Sequence, residues 1–274
     1  MSENRHQLLK HVTLIAISVP FLTPFLWLLI TSLRSDDLIF SNKLWPLLTS
    51  IEWRHYPQAF QSVPFGRYVL NTLFLCAVNV MGAMLSCSLI AYGFAKIQFP
   101  GRNILFMLMI ATMILPAQVT MIPLFILFSK LGWYGGYLPL IVPHFFGSAF
   151  FIFLLRQFYL TIPQEISDAA RIDGCSEWGI WWRIMLPLVK PALATVALFT
   201  FLGTWNDFTG PLIYINDQSK YTLAYGLQQF LGAYGSQWGR LMAASVVFTL
   251  PVILLFFLLQ KVFIKGVVTT GLKG

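Results

Sequence analysis

The chain has 274 residues, of which 57% are hydrophobic and only 10% charged, with a formal net charge of +8 and a mean hydropathy of +0.72. A soluble globular chain carries about a quarter charged residues, so there is too little charge here to cover a water-facing surface, and the bilayer is the solvent that fits. The basic residues flank apolar runs instead of clustering, which sets aside a nucleic-acid partner and reads as a determinant of membrane orientation.

Crossing about 30 Å of hydrocarbon takes about 20 apolar residues in a helix. Six stretches are predicted to do so, near 12–33, 69–94, 104–128, 139–158, 189–208 and 241–262. The first follows NRHQLLKH. Its apolar run is too long for the core of a signal peptide and no small-x-small cleavage pattern follows, so it is expected to stay as a membrane helix. With the N-terminus inside, eleven of the eighteen Lys and Arg fall on the inner side, among them Lys96, Arg102, Arg156, Arg171 and Arg183. Both termini are therefore expected in the cytoplasm. Pro20, Pro24, Pro116, Pro123, Pro139, Pro143 and Pro251 lie within or at the edges of the predicted helices, where each removes a donor and favours a kink.

Inside the spans the chemistry is sparse. Proton- or sodium-coupled carriers keep a mid-span carboxylate, and none is present here. His144, just after Pro143, is the one ionisable group well inside an apolar run, and is expected to bond a neighbouring helix. Cys76, Cys87 and Cys175 have no metal-ligand spacing and read as packed thiols. No HExxH, GxSxG or GxxxxGK[ST] motif occurs, so the chain carries no catalytic grouping, and any nucleotide energy must come from a partner.

Between the fourth and fifth spans the chain turns polar. Residues 167–188, SDAARIDGCSEWGIWWRIMLPL, hold three carboxylates, two arginines and three tryptophans. Upstream, Thr161 is placed to cap a short helix with Gln164 completing a capping box and Pro163 in its first turn. Glu165 and Asp168 then lie toward the positive end of that helix and Arg171 toward the negative end. Ala169 and Ala170 leave room for another backbone. Gly174 is expected to stop the helix in the left-handed conformation, and Ser176 to start a second, with Glu177 in its first turn. Pro187 and Pro191 would bend the chain as it re-enters the membrane. The expectation is a helix, a glycine corner and a second helix, forming a cytoplasmic docking surface. Beyond the fifth span, LIYINDQSKYTLAYGLQQFLGAYGSQWG is rich in Tyr, Gln and Gly, which suit polar, carbohydrate-like contacts.

The segment DAARIDG, nine further residues, then IMLP resembles the signature E-A-A-x-x-x-G-x(9)-I-x-L-P of permease subunits in binding-protein-dependent ABC importers. Asp168, Ala169, Ala170, Gly174, Ile184, Leu186 and Pro187 occupy the matched positions. Asp168 stands where that family usually has Glu, keeping the charge on a side chain one methylene shorter. The six spans, the long first outer loop, FPGR after the second span, WND ending the fifth and the terminal GVVTTGLKG are similar to the carbohydrate branch, specifically the smaller permease of maltose-type importers.

The resemblance implies an all-α integral membrane protein with six transmembrane helices of the type I ABC importer permease fold. Residues 1–274 would form one permease domain in the inner membrane, with a coupling-helix loop at 159–188. It further implies a non-catalytic subunit for a sugar or oligosaccharide, with the same machine carrying glycerol 3-phosphate, or a stand-alone secondary transporter, as alternatives. The implied partners are a second homologous permease, an ABC ATPase dimer that binds ATP and Mg, an extracytoplasmic sugar-binding protein and membrane lipid, with no cofactor in this chain. Glu165, Asp168, Ala169, Ala170, Arg171, Asp173, Gly174, Ile184, Leu186 and Pro187 would couple to the ATPase. Thr269, Thr270, Gly271, Lys273 and Gly274 would give it a second contact, and Trp205, Asn206 and Asp207 would lie at the outer mouth or pathway.

Overall fold

The computed structural model describes residues 2–39, 51–231 and 237–271, and within those the side chains outside 2–5, 8 and 259–271. Every regular element among them is helical. In order these are α1 (Ser2–Ser32), α2 (His55–Ser62), α3 (Phe65–Lys96), α4 (Arg102–Ala111), α5 (Ala117–Lys130), α6 (Leu138–Ile141), α7 (Ala149–Thr161), α8 (Gln164–Ile172) and α9 (Glu177–Gly179). After a π-helical stretch over Ile180–Met185 come α10 (Leu186–Leu188), α11 (Lys190–Trp205), α12 (Thr209–Tyr214), α13 (Leu223–Gly226) and α14 (Trp238–Gly271).

Among the described residues four apolar stretches are long enough to cross a bilayer: Leu9–Ser32, Phe65–Lys96, Leu138–Thr161 and Trp238–Leu258. Two more predicted spans are bent. The third, expected as one helix over 104–128, is instead α4 and a short 3-10 turn followed by α5 at 100°. Pro116 explains the break: it has no N–H to donate, and its ring bars Leu115 from the helical region, leaving it at φ −75°, ψ 117°. Pro123 sits inside α5, and Pro20 and Pro24 inside α1, with the helix continuing past each. The fifth span, expected over 189–208, corresponds to α11 over Lys190–Trp205. It meets the preceding Glu177–Leu188 stretch at 82°, with the irregular residue Val189 at the corner between Pro187 and Pro191.

The chain divides into two compact units, residues 1–66 with 226–253, and 67–225 with 254–274. In the first, α1 presents nearly all its apolar side chains outward, as a lipid-facing helix does. Its polar end is tied down by buried His55, whose Nδ1 lies 3.1 Å from the Ser32 carbonyl. Gly239 lies so close to that imidazole that a methyl group there would collide with it.

The second unit holds the larger core. Ala83, Cys87, Ala91 and Ala95 recur every fourth residue on one face of α3, all buried. With Ala192 and Val196 of α11, Leu155 and Tyr159 of α7, and Ile180, Trp181 and Met185 of the π-helical stretch they form one cluster. In lipid the hydrophobic effect does not drive helices together, so association depends on close packing, which small residues allow. That stripe gives α3 its seam, and α4 and α11 both pack on α7.

Candidate functional site: a braced loop and a cavity

The 159–188 loop folds largely by the local rules legible in its residues. Gly174 has φ +80°, and the N–H of Cys175 reaches the carbonyl of Ala170 at 2.9 Å while that of Gly174 reaches Arg171 at 3.0 Å. This is a Schellman ending, in which the glycine takes the left-handed turn without the penalty a Cβ brings. Ser176 caps α9, its hydroxyl accepting from the Gly179 N–H at 3.3 Å.

The start of α8 differs from expectation. α7 continues through Thr161, whose hydroxyl donates to the Phe158 carbonyl within its own helix, and Pro163 takes the cap position without a side-chain bond. Gln164 lies along the exposed face of α8 and donates to Asp168 at 3.4 Å instead of completing a capping box. Because Thr161 is still helical, its side chain bonds back one turn, as a mid-helix threonine does. The loop is tied to α3 instead, by Lys96, whose ammonium donates to the Ile162 carbonyl at 2.5 Å.

The alanine pair is split. Ala170 and Ser167 face inward and are buried, whereas Glu165, Asp168 and Ala169 are exposed. A helix turns about 100° per residue, so adjacent residues do not share a face; only Ala169 offers a small, open surface. Ile172 is 86% exposed beside it. Asp173 is the C-cap residue, exposed, with φ −71°, ψ 4°. Ile184 and Leu186 pack against the core cluster, and Pro187 is exposed at the bend.

Arg171 binds the two helices together. Its guanidinium donates to Asp168 Oδ1 at 2.6 Å and to Glu177 Oε1 at 2.6 Å. The other oxygen of Glu177 accepts from the Tyr92 hydroxyl of α3, also at 2.6 Å. The bond to Glu177 raises the Arg171 pKa above its ordinary value, with the Asp168 charge adding to it, so the cation is fixed. Tyr92 Oη, Glu177, Arg171 and Asp168 thus form a continuous brace from a membrane helix to the outer face of α8. Beyond it, the π-helical stretch buries Trp181 while Trp178 and Trp182 stay 65% and 57% exposed; such wide turns recur at functional positions. Tyr92 carried no sequence signal and Lys96 only that of a basic residue at a span end, since each sits in α3, more than sixty residues from its partner.

At the other end of α11 the three expected pathway residues part company. Trp205 is buried and stacked on Phe201, with rings 5.5 Å apart. Asn206 donates to the Leu202 carbonyl at 2.8 Å, closing the helix end. Asp207 lines a cavity of about 600 Å³ together with Asn79, Gln118, His144, Thr204 and Tyr214, its Oδ1 accepting from the Gly210 N–H at 2.9 Å. His144, expected to bond a neighbouring helix, does so through its main chain, its carbonyl accepting from the Ser86 hydroxyl of α3 at 3.0 Å, while its imidazole lies in the cavity wall.

Beside the cavity the segment that follows α12 is pinned to α3. Asn71 donates to the carbonyls of Ser219 and Tyr221, both at 3.0 Å, and Thr72 accepts from the Leu223 N–H at 2.8 Å. Of the expected tail contacts, Thr269, Thr270 and Gly271 end α14, while Lys273 and Gly274 lie outside the described residues.

Residues 84–269, which include the braced loop and most of the cavity wall, match the family described as binding-protein-dependent transport system inner membrane component. The chain belongs to this family. Among its relatives in that permease family, the arabinooligosaccharides transport system permease protein AraQ of Bacillus subtilis is 39% identical over 210 residues, covering 77% of this chain and 74% of the relative. The diacetylchitobiose uptake system permease protein NgcG of Streptomyces coelicolor is 32% identical over 275 residues, covering 98% and 90%. A solved structure of a bacterial ABC transporter that imports the acidic polysaccharide alginate superposes with a TM-score of 0.83 at 24% identity, covering 95% of this chain and 97% of that one. The permease is thus an all-helical, multi-pass membrane protein with the type I ABC importer permease fold, a subunit of a transport system with other components.

Proposed function

We propose that the chain is the permease subunit of an ATP-driven importer for a sugar or oligosaccharide, working in the inner membrane. It pairs with a second homologous permease, an ATPase dimer and an extracytoplasmic binding protein. Each bent pair counts as one span, giving six, with both termini in the cytoplasm, and residues 1–274 act as one permease domain with 159–188 as its coupling loop. The naming of AraQ and NgcG for oligosaccharide uptake supports the cargo class.

The observation that carries the mechanism is the brace. A docking helix transmits movement only if it cannot swivel on its own, and α8 is held by Arg171 to Glu177 and through it to Tyr92 of α3. Ala169, Glu165, Asp173 and Ile172 form the surface the ATPase meets, and Ile184, Leu186 and Pro187 hold the far side of the loop. In this reading Asp168 steadies Arg171 and does not reach for an ATPase arginine. The tail from Thr269 to Gly274 makes the second ATPase contact. ATP is bound and hydrolysed by the partner, and this chain turns its closure into alternating access.

The test is reconstitution of the complete complex in proteoliposomes, with cargo uptake and ATP hydrolysis measured together. Uptake that needs ATP and the binding protein is expected. Uptake by this chain alone down an ion gradient would overturn the proposal in favour of a secondary transporter. A complex that fails to form with any ATPase would overturn it as well.

A further inference from the structure

The FPGR motif after α3 has no part in the brace or the cavity. Its arginine, Arg102, opens α4, and Arg156 stands on α7, which packs against α4. Both are anchored by carbonyls at the end of α3. Arg156 Nε donates to the Phe94 carbonyl at 3.3 Å, and its guanidinium lies 4.2 Å from the centre of the Phe106 ring. Arg102 Nη1 donates to the Ile97 carbonyl and its Nε to Asn103, both at 3.4 Å. A guanidinium carries five N–H donors, so both Nη groups of Arg156 and the Nη2 of Arg102 are left unspent.

Neither arginine has a carboxylate partner among the described residues. The charge that acts on Arg156 is the like charge of Arg102. Asp168 and Glu177 of the adjoining loop are spent on Arg171. Arg156 also stands five residues inside the end of the apolar stretch Leu138–Thr161, about 7.5 Å along a helix axis. Arginine does not shed its proton, and a cation at that depth is costly until an anion meets it. Two half-buried guanidiniums side by side therefore point to an anionic guest.

The guest's other half follows from the flank. Ile104, Leu105, Met107 and Leu108 of α4 are 51–64% exposed, an apolar face that begins two residues from Arg102. Phosphate oxygens match the paired N–H groups of a guanidinium, and basic pockets between membrane helices suit anionic headgroups. A free anion would leave the apolar face unused, whereas a phospholipid covers both.

We propose that Arg102 and Arg156 bind the phosphate of an anionic phospholipid whose acyl chains lie along the outward apolar face of α4. The lipid bridges α4 and α7 and offsets the repulsion between the two cations. The site is contained in this chain and goes beyond the importer reading, since it depends on neither cargo nor ATP.

Native mass spectrometry tests it. The complete transporter is stripped of lipid in mild detergent and titrated, and adducts are read on this subunit after gas-phase release. The probes are phosphatidylglycerol, phosphatidylcholine with the same acyl chains, whose ammonium offsets its phosphate, and inorganic phosphate. Phosphatidylglycerol is expected to bind the most tightly of the three. Arg102→Gln and Arg156→Gln should each weaken it about tenfold, as loss of a charge-assisted hydrogen bond does. Arg102→Lys, which keeps the charge without the fork, should lose less. Because Arg156→Gln also removes the Phe94 bond and the ring contact, Arg102→Gln decides the matter if that variant does not fold. Equal retention of the two lipids, unchanged phosphatidylglycerol affinity in Arg102→Gln, or no lipid on the released subunit would overturn the site. Inorganic phosphate bound as tightly as phosphatidylglycerol would overturn it too, in favour of a free anion. None of these outcomes bears on ATP-driven uptake, so the importer reading stands or falls separately.

Discussion

Replacing Tyr92 by Phe removes one oxygen and tests whether the brace transmits force. The hydroxyl donates to a carboxylate at 2.6 Å, and a hydrogen bond to a charged group contributes about 1.5–3 kcal/mol. The Glu177 side chain is 44% exposed, so water takes over part of the loss and the lower end applies. A change of about 1.4 kcal/mol is tenfold in an equilibrium, here between α8 held and α8 free to swivel. Arg171→Met removes two ion pairs whose members are 33–55% exposed, about 0.2–1 kcal/mol each, and leaves Asp168 and Glu177 facing one another. Both variants keep the buried cluster of α3, α7 and α11, so their melting points should move by only a few degrees, about what 1–2 kcal/mol produces in a chain of this size. In proteoliposomes holding the complete transporter, the number of cargo molecules taken up per ATP hydrolysed should fall roughly three- to tenfold in each. The double variant should fall less than the product of the two, because the residues act in series. A wild-type transport-to-hydrolysis ratio in Tyr92→Phe, or strictly multiplicative losses in the double variant, would refute the brace as the coupling element.

Gly174→Val should uncouple transport from ATP hydrolysis with the spans still inserted, because φ +80° costs a residue with a Cβ roughly 1–2 kcal/mol. No atom lies within 4 Å of the added Cβ, so Gly174→Asn, which tolerates that conformation, should recover most of the transport-to-hydrolysis ratio. The two alanines should respond differently to Phe. At buried Ala170 it should lower thermal stability by about 1–3 kcal/mol through overpacking, read by a melting assay. At exposed Ala169 it should leave the melting point unchanged and reduce recovery of the ATPase in pull-down. At the outer face, the bonds from Ser219 hold the Asp217 carboxyl below the ordinary carboxylate range, with the Lys220 charge a smaller help. A depressed carboxylate stabilises above its unfolded pKa and loses that contribution only as pH falls through the folded one. Protection of the Ser219 amide, taken as its exchange rate relative to the intrinsic rate at each pH, should therefore hold on acidification to about pH 4, the ordinary Asp value, and be lost below it.

What the sequence discloses and what it withholds divide along physical lines. Apolar length locates the spans, because the bilayer sets one dimension that composition must meet. Gly174 and Ser176 are legible because corner and cap are decided by neighbours within five residues. Thr161 misleads for the same local reason: a capping box and a helical threonine look alike until it is known whether the previous helix has ended. The break at Pro116 was foreseeable as a kink, but its 100° angle depends on what α4 and α5 pack against. Tyr92 and Asn79 gave no signal at all, and Lys96 only that of a basic residue at a span end. Each lies in a long apolar helix and gains its role from a partner that only the tertiary structure brings near.

The division of labour along α3 ties these points together. Its Ala83–Cys87–Ala91–Ala95 stripe is the seam on which the membrane core closes. The same helix supplies Asn79 to the cavity wall, Tyr92 to the brace and Lys96 to the start of the 159–188 loop. From Asn79 to Tyr92 is thirteen residues, about 20 Å at 1.5 Å per residue, or two thirds of the hydrocarbon thickness. A rigid helix with one polar group in the cavity wall and another on the 159–188 loop needs no intervening chain of contacts to link them. Tilting α3 moves both. The shorter Asp168 is consistent with that arrangement: its reach suffices for Arg171 one turn away on the same helix, and holding Arg171 in place keeps α8 tied through Glu177 to the Tyr92 end of α3.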